Sequence, residues 1–124
     1  MNQHDSSTQL ADGAKCQIRE ISLHEFTSIP RTERPVLIDV REESEWQAGH
    51  AEGALHLSRG TIEQHIREIA PDPATSIVCY CSGGNRSALA AESLQTLGYT
   101  HVASLSGGFK AWKEAGEHVT YPEA

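Results

Sequence analysis

The sequence predicts an α/β fold, a doubly wound, mostly parallel sheet of about five strands with helices on both faces. Three observations predict it. Short apolar runs alternate along the chain with segments of helical spacing. The run Val36-Leu37-Ile38 is continuously apolar instead of alternating, the pattern of a strand buried on both faces. Proline, glycine or serine stands between successive runs, where the chain must turn.

The elements follow in order. Residues 16–19 form the first expected strand. Ser22 is a good N-cap, and Leu23, Phe26 and Ile29 share one helical face until Pro30 stops it. Residues 35–40 are the second strand. Ser44 is expected to cap a short helix that ends near Gly49, and residues 54–57 are the third strand. Thr61 opens a helix with Ile62, Ile66 and Ile69 on one side, and Pro71 and Pro73 follow its end. Residues 76–80 are the fourth strand. Residues 87–97 read as a helix, with Gly98 just past its C-terminus. Residues 101–104 give the last strand and residues 108–115 the final helix.

The chain has 124 residues, the length of one domain, expected over residues 14–120. Residues 1–13 read as a disordered polar tail without the apolar stretch of a secretory signal. A formal net charge of −7 argues against a nucleic-acid surface, which would be basic. No apolar run approaches membrane-spanning length. Three cysteines, Cys16, Cys79 and Cys81, are too few and too uneven for a disulfide framework, and point to a reducing compartment, the cytoplasm. The seven histidines show no Cys/His spacing of the zinc kind, so no metal site is expected.

The stretch that carries chemistry begins at the end of the fourth strand. Cys81 ends that strand, the small-residue loop Ser82-Gly83-Gly84-Asn85 follows, and Arg86 and Ser87 open an Ala/Leu-rich helix. A helix N-terminus carries roughly half an elementary charge, and its free N–H groups point outward. Gly83 and Gly84 accept positive φ and let backbone N–H groups converge on one point. Cysteines in such places have pKa values of roughly 3.5–7.5, so Cys81 is expected to be thiolate at neutral pH. The position agrees with the fold, because doubly wound sheets bind ligands beyond the carboxyl ends of their strands. Cys79 faces the same side of the strand as Cys81. It reads as a small buried residue, with a resolving thiol as the alternative.

These ten residues, 79–88, resemble the active-site loop of the rhodanese family. Leu37-Ile38-Asp39-Val40-Arg41-Glu42 resembles that family's second-strand signature. Gly49-His50-Ala51-Glu52-Gly53-Ala54 resembles its Gly-His-x-x-Gly-Ala turn, and Leu105-Ser106-Gly107-Gly108-Phe109-Lys110-Ala111-Trp112 its Gly-Gly-aromatic helix start. The matches run in family order over residues 16–116. The resemblance implies a sulfurtransferase needing no cofactor. Cys81 would take a sulfane sulfur from thiosulfate, glutathione persulfide or a polysulfide, carry it as a persulfide within the loop of Ser82, Gly83, Gly84, Asn85 and Arg86, and pass it to cyanide, a thiol or a protein.

Four residues separate Cys81 from Arg86, whereas cysteine-dependent phosphatases, including those sharing this fold, have five. The shorter loop is similar to the sulfurtransferase form. A phosphatase or arsenate reductase on the same scaffold and a non-catalytic binding module are the alternatives, although degenerate modules lose the loop cysteine. Thiosulfate-preferring members tend to carry cations inside the loop. Residues 82–85 here are uncharged, so a polysulfide, glutathione persulfide or a protein persulfide stands level with thiosulfate as donor. Rhodanese-like chains often carry Arg-Gly at the position of Arg59 and Gly60. Arg59 reads either as an anion contact for the donor or as a solvated loop arginine. Asp39, Arg41 and His50 read as structural, Trp46 and Trp112 as core or edge residues, and the acidic run at residues 42–45 as a helix start with a solvated face.

Overall fold

The computed structural model describes residues 18–122. In chain order the elements are β1 (Arg19–Ile21), α1 (Leu23–Ser28), a 3-10 turn (Arg31–Glu33), β2 (Val36–Asp39), α2 (Glu43–Gln47), β3 (His50–Ala51), β4 (Leu55–His56), α3 (Ile62–Ile69), β5 (Ile77–Tyr80), α4 (Asn85–Thr96), β6 (Val102–Leu105), α5 (Gly108–Glu114) and β7 (Val119–Thr120). Five strands form one sheet in the order β1-β6-β5-β2-β4, every pair parallel. The expected fold class is the observed one. The tail over residues 1–13 and Cys16 lie outside the described residues.

Alternation along the central strands fills both faces. Ile38, Ile77, Cys79 and Cys81 pack with Ile62 and Ile66 of α3 and with Ala90, Ala91 and Leu94 of α4. Leu37, Val78 and Tyr80 pack on the other side with Phe26, Phe109 and Trp112. Burying such side chains supplies roughly 1.5–3 kcal/mol each. That is why the continuous apolar runs sit at the middle of the sheet.

Local signals account for most boundaries. Ser22 caps α1 through a reciprocal pair: its hydroxyl accepts from the Glu25 N–H at 3.0 Å, and the Glu25 carboxylate accepts from the Ser22 N–H at 3.1 Å. Gly98 takes φ +108 after α4.

Beyond shifts of about one residue at other element ends, four features differ from expectation. The first strand is Arg19–Ile21, shifted toward the C-terminus, because Ile21 is the residue that buries and pairs with Leu105. Glu42, not Ser44, caps α2, its N–H donating to Glu45 at 3.0 Å. Helix α4 begins at Asn85, two residues before the expected start. The turn at residues 49–54 contains β3, which pairs antiparallel with β7; neither was expected as a strand.

One buried network fixes the carboxyl ends of β2 and β5. Arg41 Nε lies 3.1 Å from each Asp39 oxygen, and Arg41 Nη2 lies 2.8 Å from Asp39 Oδ2. Arg41 also donates to the Gly49 carbonyl at 2.7 Å. Tyr80 Oη donates to Asp39 Oδ2 at 2.6 Å and accepts from the Ala51 N–H at 3.0 Å. Burial and the neighbouring carboxylate push the Tyr80 phenol up, so it remains a donor. Asp39 and Arg41 thus act as structure, and every polar group of the cluster is paired, as burial requires.

Candidate active site

Cys81 follows the last residue of β5 and is 2% exposed. The backbone around it is held from outside. The Cys81 carbonyl accepts from the Phe109 N–H at 2.8 Å and the Ser82 carbonyl from the Lys110 N–H at 3.2 Å. Helix α5 can approach so closely only because residue 108 is glycine, since a Cβ there would fall on the Cys81 and Ser82 carbonyl oxygens. With its carbonyls bonded to α5, the loop turns its N–H groups inward. Gly84 takes φ +120 at the N-cap of α4 and donates its N–H to Cys81 Sγ at 3.0 Å. Gly83, expected to share the positive φ, does not adopt it.

A hydroxyl completes the surroundings of the sulfur. Ser87 Oγ lies 3.6 Å from Cys81 Sγ, 3.1 Å from the Gly84 carbonyl and 2.7 Å from Ser104 Oγ. Burial pushes the Cys81 thiol up. The Ser87 hydroxyl and the N–H groups of Ser87, Gly84 and Gly83 outweigh that effect and hold it below its ordinary value. Cys79, on the same face, has burial without donors. Its thiol is pushed up to about 12, first by burial and then by the charge of Cys81.

The Arg86 guanidinium does not stand free over the sulfur. It forks onto Glu45 of α2, with Nη1–Oε1 at 2.7 Å and Nη2–Oε2 at 3.0 Å, and Nη2 also donates to Ser82 Oγ at 3.1 Å. Ser82 Oγ in turn donates to Glu45 Oε2 at 3.0 Å. The Arg86 fork, helped by Ser82 and by the Glu42 N–H, holds the Glu45 carboxyl down at about 2 against partial burial. The Glu45 carboxylate, and behind it the Cys81 sulfur, keep the Arg86 pKa raised. A clasp therefore joins α2 to the loop. Glu45 lies in the acidic run read as a solvated face, and its function is visible only once α2 is placed beside Ser82.

The structure brings Cys81, Ser82, Gly83, Gly84, Asn85 and Arg86 together, with Asn85 now in the first turn of α4. Arg59 follows β4, exposed, its N–H bonded to the Val40 carbonyl. Its side chain makes no ion pair among the described residues. His50 is buried and stacks on Trp46 with ring centres 3.4 Å apart; His56 stacks on the same indole at 5.0 Å. Trp112 belongs to the core. Ser87 and Ser104 were absent from the expected site. Ser87 stands in the first turn of α4 beside the sulfur, and Ser104, in register with Cys79, holds the Ser87 hydroxyl from the neighbouring strand.

A model of the rhodanese-like domain matches residues 22–115. The chain belongs to the rhodanese-like domain family. Among rhodanese-like relatives, the thiosulfate sulfurtransferase GlpE of Pseudomonas entomophila is 38% identical over 92 residues, 74% of this chain and 78% of that protein. The thiosulfate sulfurtransferase GlpE of Tolumonas auensis is 32% identical over 97 residues, 78% of this chain and 90% of its own. A Rhodopseudomonas palustris protein, described as of unknown function and a possible tyrosine phosphatase, superposes with a TM-score of 0.81 at 30% identity, covering 97% of this chain and 99% of that one. The polysulfide-sulfur transferase homodimer of Wolinella succinogenes superposes with a TM-score of 0.78 at 25% identity, covering 94% and 88%. Among the described residues no group of three or more His, Cys, Asp or Glu could hold a metal ion, and no helix is long and apolar enough to cross a membrane.

Proposed function

We propose that this protein is a sulfurtransferase that carries a sulfane sulfur on Cys81. The single observation that carries the reading is the sulfur's surroundings. The Gly84 amide donor and the nearby Ser87 hydroxyl favour an anionic sulfur in a short loop whose own guanidinium is committed to Glu45. The Cys81 thiolate attacks the outer sulfur of a donor such as thiosulfate. A new S–S bond forms, the donor's S–S bond breaks, and sulfite leaves with the electron pair. A nucleophilic acceptor, cyanide in vitro or a thiol or protein thiol, then takes the outer sulfur and restores the thiolate. One difficult transfer becomes two easier ones, with ping-pong kinetics as the mark.

The persulfide anion sits where the N–H groups of α4's first turn, which have no intrahelical acceptors, point. Arg59, exposed beyond β4, is our candidate contact for a small anionic donor. The relatives named thiosulfate sulfurtransferase and polysulfide-sulfur transferase support the reaction class. Two free, buried thiols fit a reducing compartment, which we take to be the cytoplasm.

The neighbour described as a possible phosphatase raises the second reading. Phosphate transfer asks an arginine fork to face the phosphate oxygens, whereas the Arg86 fork faces Glu45. Intact-mass spectrometry of reduced protein after thiosulfate, and separately after glutathione persulfide, tests the proposal. One added sulfur atom, removed by cyanide and missing in Cys81→Ser, is expected. No adduct together with hydrolysis of an aryl phosphate would overturn it.

A further inference from the structure

A pocket of about 250 Å³ lies beside the loop, between α2 and α5, and it is cationic. Ser82 forms its inner wall, so it begins one residue from the sulfur-bearing Cys81. Phe109 lines it, with the Arg41 guanidinium 4.3 Å and the Lys113 ammonium 5.0 Å from the ring centre. Lys110 and Lys113 also line it.

The charges here are not equivalent. Arg41 is consumed by Asp39, and the Glu45 carboxylate is consumed by Arg86 and Ser82. Lys110 and Lys113 form no ion pair among the described residues. Two ammonium groups without an ion-pair partner among the described residues thus line the pocket beside the loop, on a chain whose formal net charge is −7. The loop itself offers a bound anion no free side-chain cation. The unpaired positive charge of this pocket lies outside the loop, on α5.

Displaced charge selects by length. Thiosulfate carries its charge on the atoms next to the transferred sulfur, inside the loop. A peptidic persulfide carries carboxylates about one residue length away, roughly 3.5 Å or more along the chain from its sulfur-bearing residue. The pocket is smaller than the roughly 300–1,000 Å³ of sites that enclose a whole ligand, so it fits one end of such a donor.

Resting on the sulfurtransferase reading, we propose that the pocket of Ser82, Phe109, Lys110 and Lys113 is a subsite for the carboxylate of a small organic persulfide, the donor class this protein prefers. The Cys81 thiolate attacks the terminal sulfur of R–S–SH. The donor's S–S bond breaks, R–S⁻ leaves with the electron pair, and the new Cys81 persulfide gives up its proton to solvent.

The test compares sulfur loading of the full chain by glutathione persulfide and by its diethyl ester, which masks the carboxylates, in wild type and in Lys110→Gln/Lys113→Gln. Glutamine keeps most of each stem, and both positions are exposed, so the fold is preserved. Wild type is expected to favour the free acid about tenfold in kcat/KM, the size of one tenth-order step in binding, and the double variant to lose most of that preference through KM. Equal rates for acid and ester in wild type, or a preference that survives in the variant, would overturn the subsite. So would a loss of the same size with thiosulfate, which marks a general field. No loading of wild type by any donor would instead bring down the sulfurtransferase reading, and the subsite with it.

Discussion

Cys79 and Cys81 stand two residues apart on one face of the central sheet, 0% and 2% exposed. One thiol is pushed up to about 12 and the other is held below its ordinary value. Burial is common to both, so it does not set the two thiols apart. The difference is that Cys81 lies one residue past the last ladder position of β5, where the chain leaves the sheet and its N–H groups turn around a point. Cys79 sits where every neighbouring N–H is already spent on β2 or β6. The contrast between the two thiols is a property of where a strand ends.

The largest effect that could break this comparison is the exchange of either sulfur for oxygen. Cys81→Ser should abolish sulfur transfer, while Cys79→Ser should keep kcat/KM within about twofold. A Cys79→Ser enzyme that loads but cannot discharge its sulfur would restore the resolving-thiol role to Cys79.

The next effect concerns the frame that both cysteines share. Asp39→Asn leaves Arg41 buried without its counter-charge and should cost about 3–5 kcal/mol of stability, read from urea unfolding. The pH profile of Cys81 alkylation should stay where it is in the folded variant, because the network lies on Tyr80's side of the sheet. A moved profile would mean that the two layers are coupled.

Ser87→Ala sharpens the comparison by making Cys81 more like Cys79. The hydroxyl favours the thiolate, so its loss should raise the Cys81 pKa and move the iodoacetamide profile to higher pH. A hydrogen bond to a charged group is worth about 1.5–3 kcal/mol, so sulfur loading at neutral pH should fall about tenfold or more. Superimposable profiles would assign the whole effect to the amides.

The smallest effect is that of Glu45→Gln. The clasp with Arg86 is about one-third exposed on each side, so the substitution should cost at most about 1 kcal/mol. Because folding lowers this carboxyl, its contribution is full above the ordinary value of 4.5 and is lost as pH falls toward about 2. The stability gap between wild type and variant should therefore close across that window. A gap that persists at the acid end would show packing, not charge, at work.

The sheet and the loop were legible in the sequence for a physical reason: each rests on a local pattern. Continuous apolar runs marked β2 and β5, Ser22 and Gly98 marked helix ends, and alternation placed Cys79 and Cys81 together. The start of α4 was misread because its cap is Gly84, which offers no capping side chain and acts through backbone shape. The β3–β7 pair was invisible because two residues make no period. Glu45 was hidden among acidic neighbours, since a partner 41 residues away leaves no trace in local spacing. What escaped notice was long-range contact, and that contact orients the loop.

Glycine 108 lets α5 grip the carbonyls of Cys81 and Ser82 from more than twenty-five residues downstream. This has a consequence in time. A chain emerges from the ribosome N-terminus first, so Cys81 is made well before the helix that turns its loop inward. Until that helix is made the thiol is an ordinary one. A released chain truncated before Gly107 is expected to be alkylated like any free cysteine, and one that keeps the whole of α5 with the lowered profile of Cys81. The surroundings that lower the Cys81 thiol can therefore form only once α5 has been made.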